Sequence, residues 1–307
     1  MTYILKSNKI VEDNNGRFPY LTPYGETNKY VSNYYENMLL VGYEITKAEF
    51  DILNEYTSGL ISSGAINAIV ELYPFMGNSV DAMLTKLVFV DNPRLGKIAS
   101  FGAANIDSKG IKFDTYKTSR ADALKTNILL SSIFGGNGFG VSAYVKYNNT
   151  DGKTNTRTIV GVSNSVPGAD TGSEHSVSLS RRPDGRVINK FLVSSPSTTP
   201  ISAETDAGIL TIYNKWNTSK IITERGVRFK GVSLSSSTSA VQLSNPIYDT
   251  DFYVGASHVS SDNLAYYGFH GHIRSLALLN GSHDTVVLQT IEGLTEVFIN
   301  QTGKNVF

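Results

Sequence analysis

The sequence has no cysteine among its 307 residues, which excludes disulfide staples, thiolate metal sites and thiol nucleophiles. That absence leaves the compartment open, since it suits a cytosolic protein without excluding an extracellular one. Charge is sparse and balanced: 27 Lys plus Arg face 27 Asp plus Glu, and charged residues make up only 18% of the chain. A polybasic nucleic-acid surface would show an excess of one sign and an acidic disordered tail the other; neither is present. No run approaches the roughly 20 apolar residues that a membrane-spanning helix needs. Nor does a basic start followed by a short apolar run mark a cleaved signal. Nucleic acid and membrane insertion are therefore not expected, nor is secretion by a cleaved signal. What is present is 40% apolar residues, enough for a sizeable core and for one large β domain or two smaller ones.

Tyrosine is unevenly placed. Tyr3, Tyr20, Tyr24, Tyr30, Tyr34, Tyr35, Tyr43 and Tyr56 all fall in the first 56 positions, among Asn, Gly and Pro that interrupt any regular period. Residues 1–64 thus read as an N-terminal arm followed by a helix. Aromatics with a polar tip suit interfaces, so Tyr20, Tyr24, Tyr30, Tyr34 and Tyr35 are candidates for anchoring the chain to a partner. The other reading is an arm wrapped over its own domain. The helix is predicted over 46–62: Thr46 caps with Glu49 three residues on, Ile45 staples to Phe50, and Ile52, Leu53, Tyr56 and Leu60 continue the stripe.

Residues 65–307 read as β-rich with a closing helix. Short Val-, Ile-, Tyr-, Phe- and Thr-rich runs at 68–73, 86–90, 110–113, 139–147, 156–163, 176–180, 187–193, 208–213, 227–232, 251–256 and 268–279 are punctuated by turn residues. So many short strands need two sheets. Asp151-Gly152 and Asp184-Gly185 mark hairpins, so antiparallel pairing should dominate. A second and last helix is capped by Asp284, carries Val287, Leu288, Ile291, Leu294, Val297 and Phe298 at helical spacing, and ends at Gly303.

The pair of segments Phe252-Tyr-Val-Gly-Ala256 and Phe269-His-Gly-His-Ile273 resembles the last two strands of a laminin-G-like, concanavalin A-like jelly roll, which implies two neighbouring antiparallel strands over 252–279. Alternation places Phe269, Gly271, Ile273 and Ser275 on one face, with His270, His272 and Arg274 on the other. Residues 142–164 and 208–213 resemble further strands of that family, and the likeness covers roughly 65–300. Upstream, Leu72-Tyr-Pro-Phe75 before Gly77, with Asn92-Pro93, Phe101-Gly102 and Gly110-Ile-Lys-Phe113, resembles the opening of laminin-G-like domains in bacteriophage virion proteins. That resemblance implies a mainly β, two-sheet antiparallel jelly-roll sandwich in a tail, fibre or capsid-decoration component of a virion assembled in the host cytoplasm. Its partners would be other virion proteins and copies of the same chain, as a dimer or trimer, with a host-surface glycan as candidate ligand.

Catalytic patterns are weak by comparison. Glucanases on the same scaffold alternate carboxylates along one strand into a cleft. The near match, Glu49, Asp51 and Glu55, has the wrong spacing and lies in the capped helix. The glycine run Gly135-Gly-Asn-Gly-Phe-Gly140 precedes a strand rather than the helix a phosphate loop would open. His270 and His272 sit about 7 Å apart on one strand face, yet two ligands make no metal site without a third. The reading is therefore a non-enzyme without metal or cofactor; the alternative is a glycan-degrading hydrolase on a concanavalin A-like scaffold. Lectin-type sandwiches grip sugars with aromatic platforms and Asn or Asp, which nominates Trp216, Asp262, Asn263, Tyr266 and Tyr267. Trp216 has a second reading as a core anchor.

Overall fold

In the computed structural model the described residues are 20–97, 101–113, 122–147, 157–163, 176–181, 186–193, 197–200, 207–238, 240–246, 249–259, 264–266, 268–281 and 283–304. They form a mainly β sandwich of two nine-stranded, largely antiparallel sheets. The first sheet runs Val232–Ser237, Ile221–Phe229, Gly208–Trp216, Gly138–Tyr147, Gly271–Asn280, Gly110–Phe113, Ile106–Asp107, with Val241–Gln242 and Ile69–Tyr73 attached to its flanks. The second runs Ser197–Pro200, Arg186–Phe191, Val177–Arg181, Arg157–Ser163, Asp251–Val254, Leu124–Leu129, Gly96–Lys97, with Ser257–Val259 and Leu264–Tyr266 beside it.

Period-two alternation sorts the side chains into two cores. Phe139, Val141, Leu210, Ile212, Leu276 and Leu278 of the first sheet meet Val160, Val177, Leu179, Phe191, Phe252 and Val254 of the second. Phe139 stacks on Phe252 with ring centroids 4.8 Å apart. The intervening residues Tyr144, Ile209, Tyr213, Ala277 and Leu279 point the other way, into a second core under the helices.

Among the described residues five α-helical segments occur, against two expected: α1 (Lys29–Leu40), α2 (Lys47–Ser62), α3 (Val80–Met83), α4 (Leu130–Gly135) and α5 (Thr285–Gln301). α2 has the expected reciprocal cap between Thr46 and Glu49, and Asp284 caps α5 by accepting from the Val287 amide. α1 overturns the reading of an arm without periodicity. Asn28 caps it, and Val31, Tyr34, Tyr35 and Met38 form an i, i+3, i+4, i+7 stripe buried in the same core as α2 and α5.

Three strand expectations are corrected. Residues 86–90 contribute only a single bridge, Val88 to Leu72. Residues 227–232 straddle a two-residue hairpin turn at Lys230 and Gly231, both at positive φ. The 251–254 and 271–280 strands are not neighbours but lie in opposite sheets, face to face across the core. A bulge at Arg274, the extra residue between Ile273 and Ser275, also turns Ser275 off the face that holds Ile273. Strands Val177–Arg181 and Arg186–Phe191 pair antiparallel on either side of Asp184-Gly185, whose turn, like that of Asp151-Gly152, lies outside the described residues.

Candidate ligand-binding site

Trp216 is not a sugar platform. It is 2% exposed, stacks on Phe191 at 4.8 Å and donates its indole N–H to the Gly136 carbonyl at 2.8 Å, which makes it a core anchor. Tyr266 belongs to the Leu264–Tyr266 strand, but its side chain, together with Asp262, Asn263 and Tyr267, lies outside the described residues.

Four of the five candidate anchoring tyrosines pack against their own chain. Tyr34 and Tyr35 are buried within their own chain, so neither is available to a partner. Burial pushes both hydroxyls up. Tyr24 packs edge-on to Tyr35 and donates its hydroxyl to the Ile45 carbonyl at 2.8 Å, and Tyr30 packs partly buried against the same cluster. Tyr20 pairs through its backbone with Thr27, and its side chain lies outside the described residues.

The residues considered for catalysis and metal binding have structural partners. Glu49 accepts from the Thr46 amide in its cap and from the Tyr43 hydroxyl at 2.8 Å. The glycine run presents carbonyls rather than amides: Lys220 donates to the Gly136 carbonyl at 2.9 Å at the C-terminal end of α4. His272 meets Asp107 at 3.0 Å, and no group of three metal-ligating side chains occurs among the described residues.

Two surfaces were candidates for a ligand. On the outer face of the second sheet, register aligns Lys190, Ser178, Gly161, Tyr253 and Lys125 in one transverse row. Lys190, Ser178 and Tyr253 are buried, and Lys125 is paired with Asp251 at 2.8 Å, so the row offers no open face. The second surface is open.

It begins with the Leu72-Tyr-Pro-Phe75 run. Ile69–Tyr73 is the last regular stretch, because Pro74 has no N–H to continue a ladder. Phe75 and Gly77 then take positive φ, of 48° and 109°, and turn the chain away from the sheet. A Cβ on Gly77 would strike Ala82, so the turn needs glycine there. The turn is braced from the far end of the protein. Beyond α5, Gly303 at φ 67° redirects the chain and Lys304 inserts its ammonium to donate to the carbonyls of Pro74, at 2.8 Å, and Phe75.

Between this braced loop, the start of α2, the edge strand Ile106–Asp107 and the end of α5 lies a cleft of about 550 Å³. Ile52, Met76 and Met83 give it apolar walls, Asn78, Ser108, Gln301 and Thr302 give amide and hydroxyl groups, and Glu49, Asp107 and Lys304 bring charge. Burial, then the bond to Glu49, pushes the Tyr43 hydroxyl at its edge up to about 12. Burial pushes Lys304 down to about 7, helped by the charge of Arg274 and opposed by Glu49 and Asp107. His272, behind Asp107, is also lowered by burial despite that carboxylate. Sequence reasoning found none of these residues as a site, because they come from four separated segments. The signal available was Lys304, a lone cation placed just past a helix-ending glycine.

No protein-family model and no curated protein matches the chain. Among solved structures, a carbohydrate-binding module of the Ruminococcus gnavus IT-sialidase superposes with a TM-score of 0.42 at 11% identity, over 59% of this chain and 97% of the module. The Streptococcus pneumoniae NanB sialidase gives 0.38 at 17% identity over 54% of this chain and 26% of that one. The Trypanosoma rangeli sialidase gives 0.48 at 11% identity over 75% and 34%. Likeness at this level carries no argument about function.

Proposed function

We propose that this chain is a non-enzymatic component of a bacteriophage virion whose sandwich binds a host-surface glycan in the cleft beside the Leu72–Phe75 turn. The observation that carries the binding half is the lining of that cleft. Sugars present C–H faces and hydroxyls together, and here the side chains of Ile52, Met76 and Met83 adjoin the amides of Asn78 and Gln301 and the hydroxyls of Ser108 and Thr302. The case against hydrolysis is that Glu49 and Asp107 are each held in a structural bond, to Thr46 and Tyr43 and to His272 respectively. Neither is left as the unpaired acid that glycosidic cleavage requires. The virion half rests on the resemblance carried by Leu72–Phe75 and by the segment containing Phe269 and Ile273.

A glycan array probed with the full chain, followed by calorimetry on any hit, tests the binding half. Asn78→Ala and Gln301→Ala should each weaken a hit about tenfold. An array without hits, or reducing-sugar release from capsule or cell-wall glycan, overturns the reading. Electron microscopy of intact particles carrying a tag on this chain tests the virion half.

A further inference from the structure

Lys304 is 4% exposed, and its ammonium has three N–H donors, of which the Pro74 and Phe75 carbonyls accept two. Carbonyls satisfy donors but do not cancel a charge. Among the described residues no carboxylate comes within ion-pair distance of this ammonium, although Lys304 lines an open cleft. Two other buried cations are treated differently: Lys86 is paired with Glu71 at 2.5 Å and Arg228 with Glu292 at 2.9 Å. A buried cation without a counter-charge is costly, and a brace for two carbonyls could have been built from a neutral amide. The ammonium also lies 6.0 Å over the Phe298 ring, a weak offset, and with burial holding Lys304 near 7 an anion in the cleft would stabilise the charged form.

We infer that the cleft takes a sugar bearing a single negative charge, its anionic group accepting the third N–H of Lys304 and its hydroxyls donating to Glu49 and Asp107. This deepens the glycan reading and rests on it. Glu49 on α2 and Asp107 on the edge strand line the same cleft as Lys304, and their charges favour its ammonium while that of Arg274 opposes it. The two carboxylates still have lone pairs to accept hydroxyls, and they set a limit on the ligand: a group of higher negative charge would be repelled. A carboxylate and a sulfate ester share the required chemistry.

The test compares methyl β-glucuronoside, methyl β-glucoside and methyl β-glucoside 6-sulfate by calorimetry on the full wild-type chain. The glucuronoside or the sulfate should bind at least tenfold tighter than the glucoside, and the better of the two identifies the anion. Because Lys304 must be protonated to hold it, affinity should fall on the order of tenfold per pH unit above 7, with net proton uptake on binding at pH 8. Lys304→Met should erase the preference for the anion, read as the ratio of glucuronoside or sulfate affinity to glucoside affinity; if that variant does not fold, the pH series on the wild-type chain decides. Equal affinities for all three sugars, or an affinity for the charged ones unchanged from pH 6 to 9, overturns the inference while leaving the glycan reading intact. No binding by any of them, with a silent array, sinks both.

Discussion

The helix α5 is tied to the first sheet by one buried ion pair, and removing half of that pair should be among the most damaging changes available. Arg228 and Glu292 are each 3% exposed, and the Arg228 Nε reaches both carboxylate oxygens, at 2.9 and 3.1 Å, while Nη2 donates to Glu292 at 3.1 Å and to the Gly231 carbonyl at 2.7 Å. The guanidinium thus joins the helix, the strand and the turn after it. Glu292→Gln keeps the shape but strands a buried cation, for which the expected cost is about 3–5 kcal/mol. Against a total stability of roughly 5–15 kcal/mol, that is a large share. Arg228→Met should cost a similar amount by stranding the carboxylate. The double variant Arg228→Met with Glu292→Leu removes both charges together and should recover most of the loss, since an apolar pair of similar volume is no worse than a desolvated ion pair. Urea unfolding followed by the fluorescence of Trp216, the one tryptophan of the chain, reads all three. If Glu292→Gln costs under about 1 kcal/mol, or the double variant loses the sum of the two singles, the account of this pair is wrong.

Other consequences follow from local geometry. Gly271 sits at φ +143° with the Lys146 carbonyl where a Cβ would go, so Gly271→Ala should cost about 3 kcal/mol or more in urea unfolding; a loss under about 1 kcal/mol would refute the crowding. Thr46→Ala removes one side of the α2 cap and Asp284→Ala that of α5, each an expected loss of about 1 kcal/mol, checked by the same assay. Burial holds His283 down to about 4, with Tyr213 edge-on at 5.5 Å. Its ordinary value is 6.5, so the unfolded chain takes up its proton first as pH falls. Stability from the neutral ring is full above 6.5 and is lost as pH drops toward 4, to the extent of about 3 kcal/mol. His283→Gln should flatten that part of the pH–stability curve, and an NMR titration midpoint for His283 near 6.5 would contradict it.

Much of the fold was legible where one local rule acts alone. Thr46 with Glu49, and Asp284 with Gly303, bracket their helices because capping is decided within a few residues. α1 was missed because its stripe is built from Val31, Tyr34, Tyr35 and Met38, and a tyrosine can be read as surface or as core. Leu124–Leu129 was missed because Lys125 and Asn127 interrupt its apolar run, and because Thr126, in its middle, is buried and donates to the Phe252 carbonyl. That strand is recognisable only through its partner. The same limit governs 251–254 and 271–280: each was readable as a strand, but which sheet a strand joins depends on contacts over a hundred residues away. The cleft is the extreme case, with Glu49, Asn78, Asp107 and Lys304 brought together by the closure of both helices on the sheet.

The Leu72–Phe75 run shows why a motif that carries a resemblance need not mark a ligand. Leu72, Tyr73 and Phe75 are buried, Tyr73 stacks on Phe75 at 5.9 Å, and the Tyr73 hydroxyl bonds to Glu71, which Lys86 neutralises. Each residue is thus constrained by packing, and the Pro74 and Phe75 carbonyls are held by Lys304 rather than by anything outside the chain. Such a run would persist wherever the last helix must be locked onto the sheet, whatever the protein binds. Its neighbour Asn78, which lines the cleft and is exposed, is free of that constraint and can change with the ligand. It follows that a chain with the same run but a different residue at 78 should keep the fold and alter its sugar. Exchanging Asn78 for Asp or Ser on this scaffold should therefore shift glycan preference on an array without moving the unfolding midpoint by more than about 0.5 kcal/mol. A loss of stability well beyond that would mean the loop is set by Asn78 itself and not by the brace from Lys304.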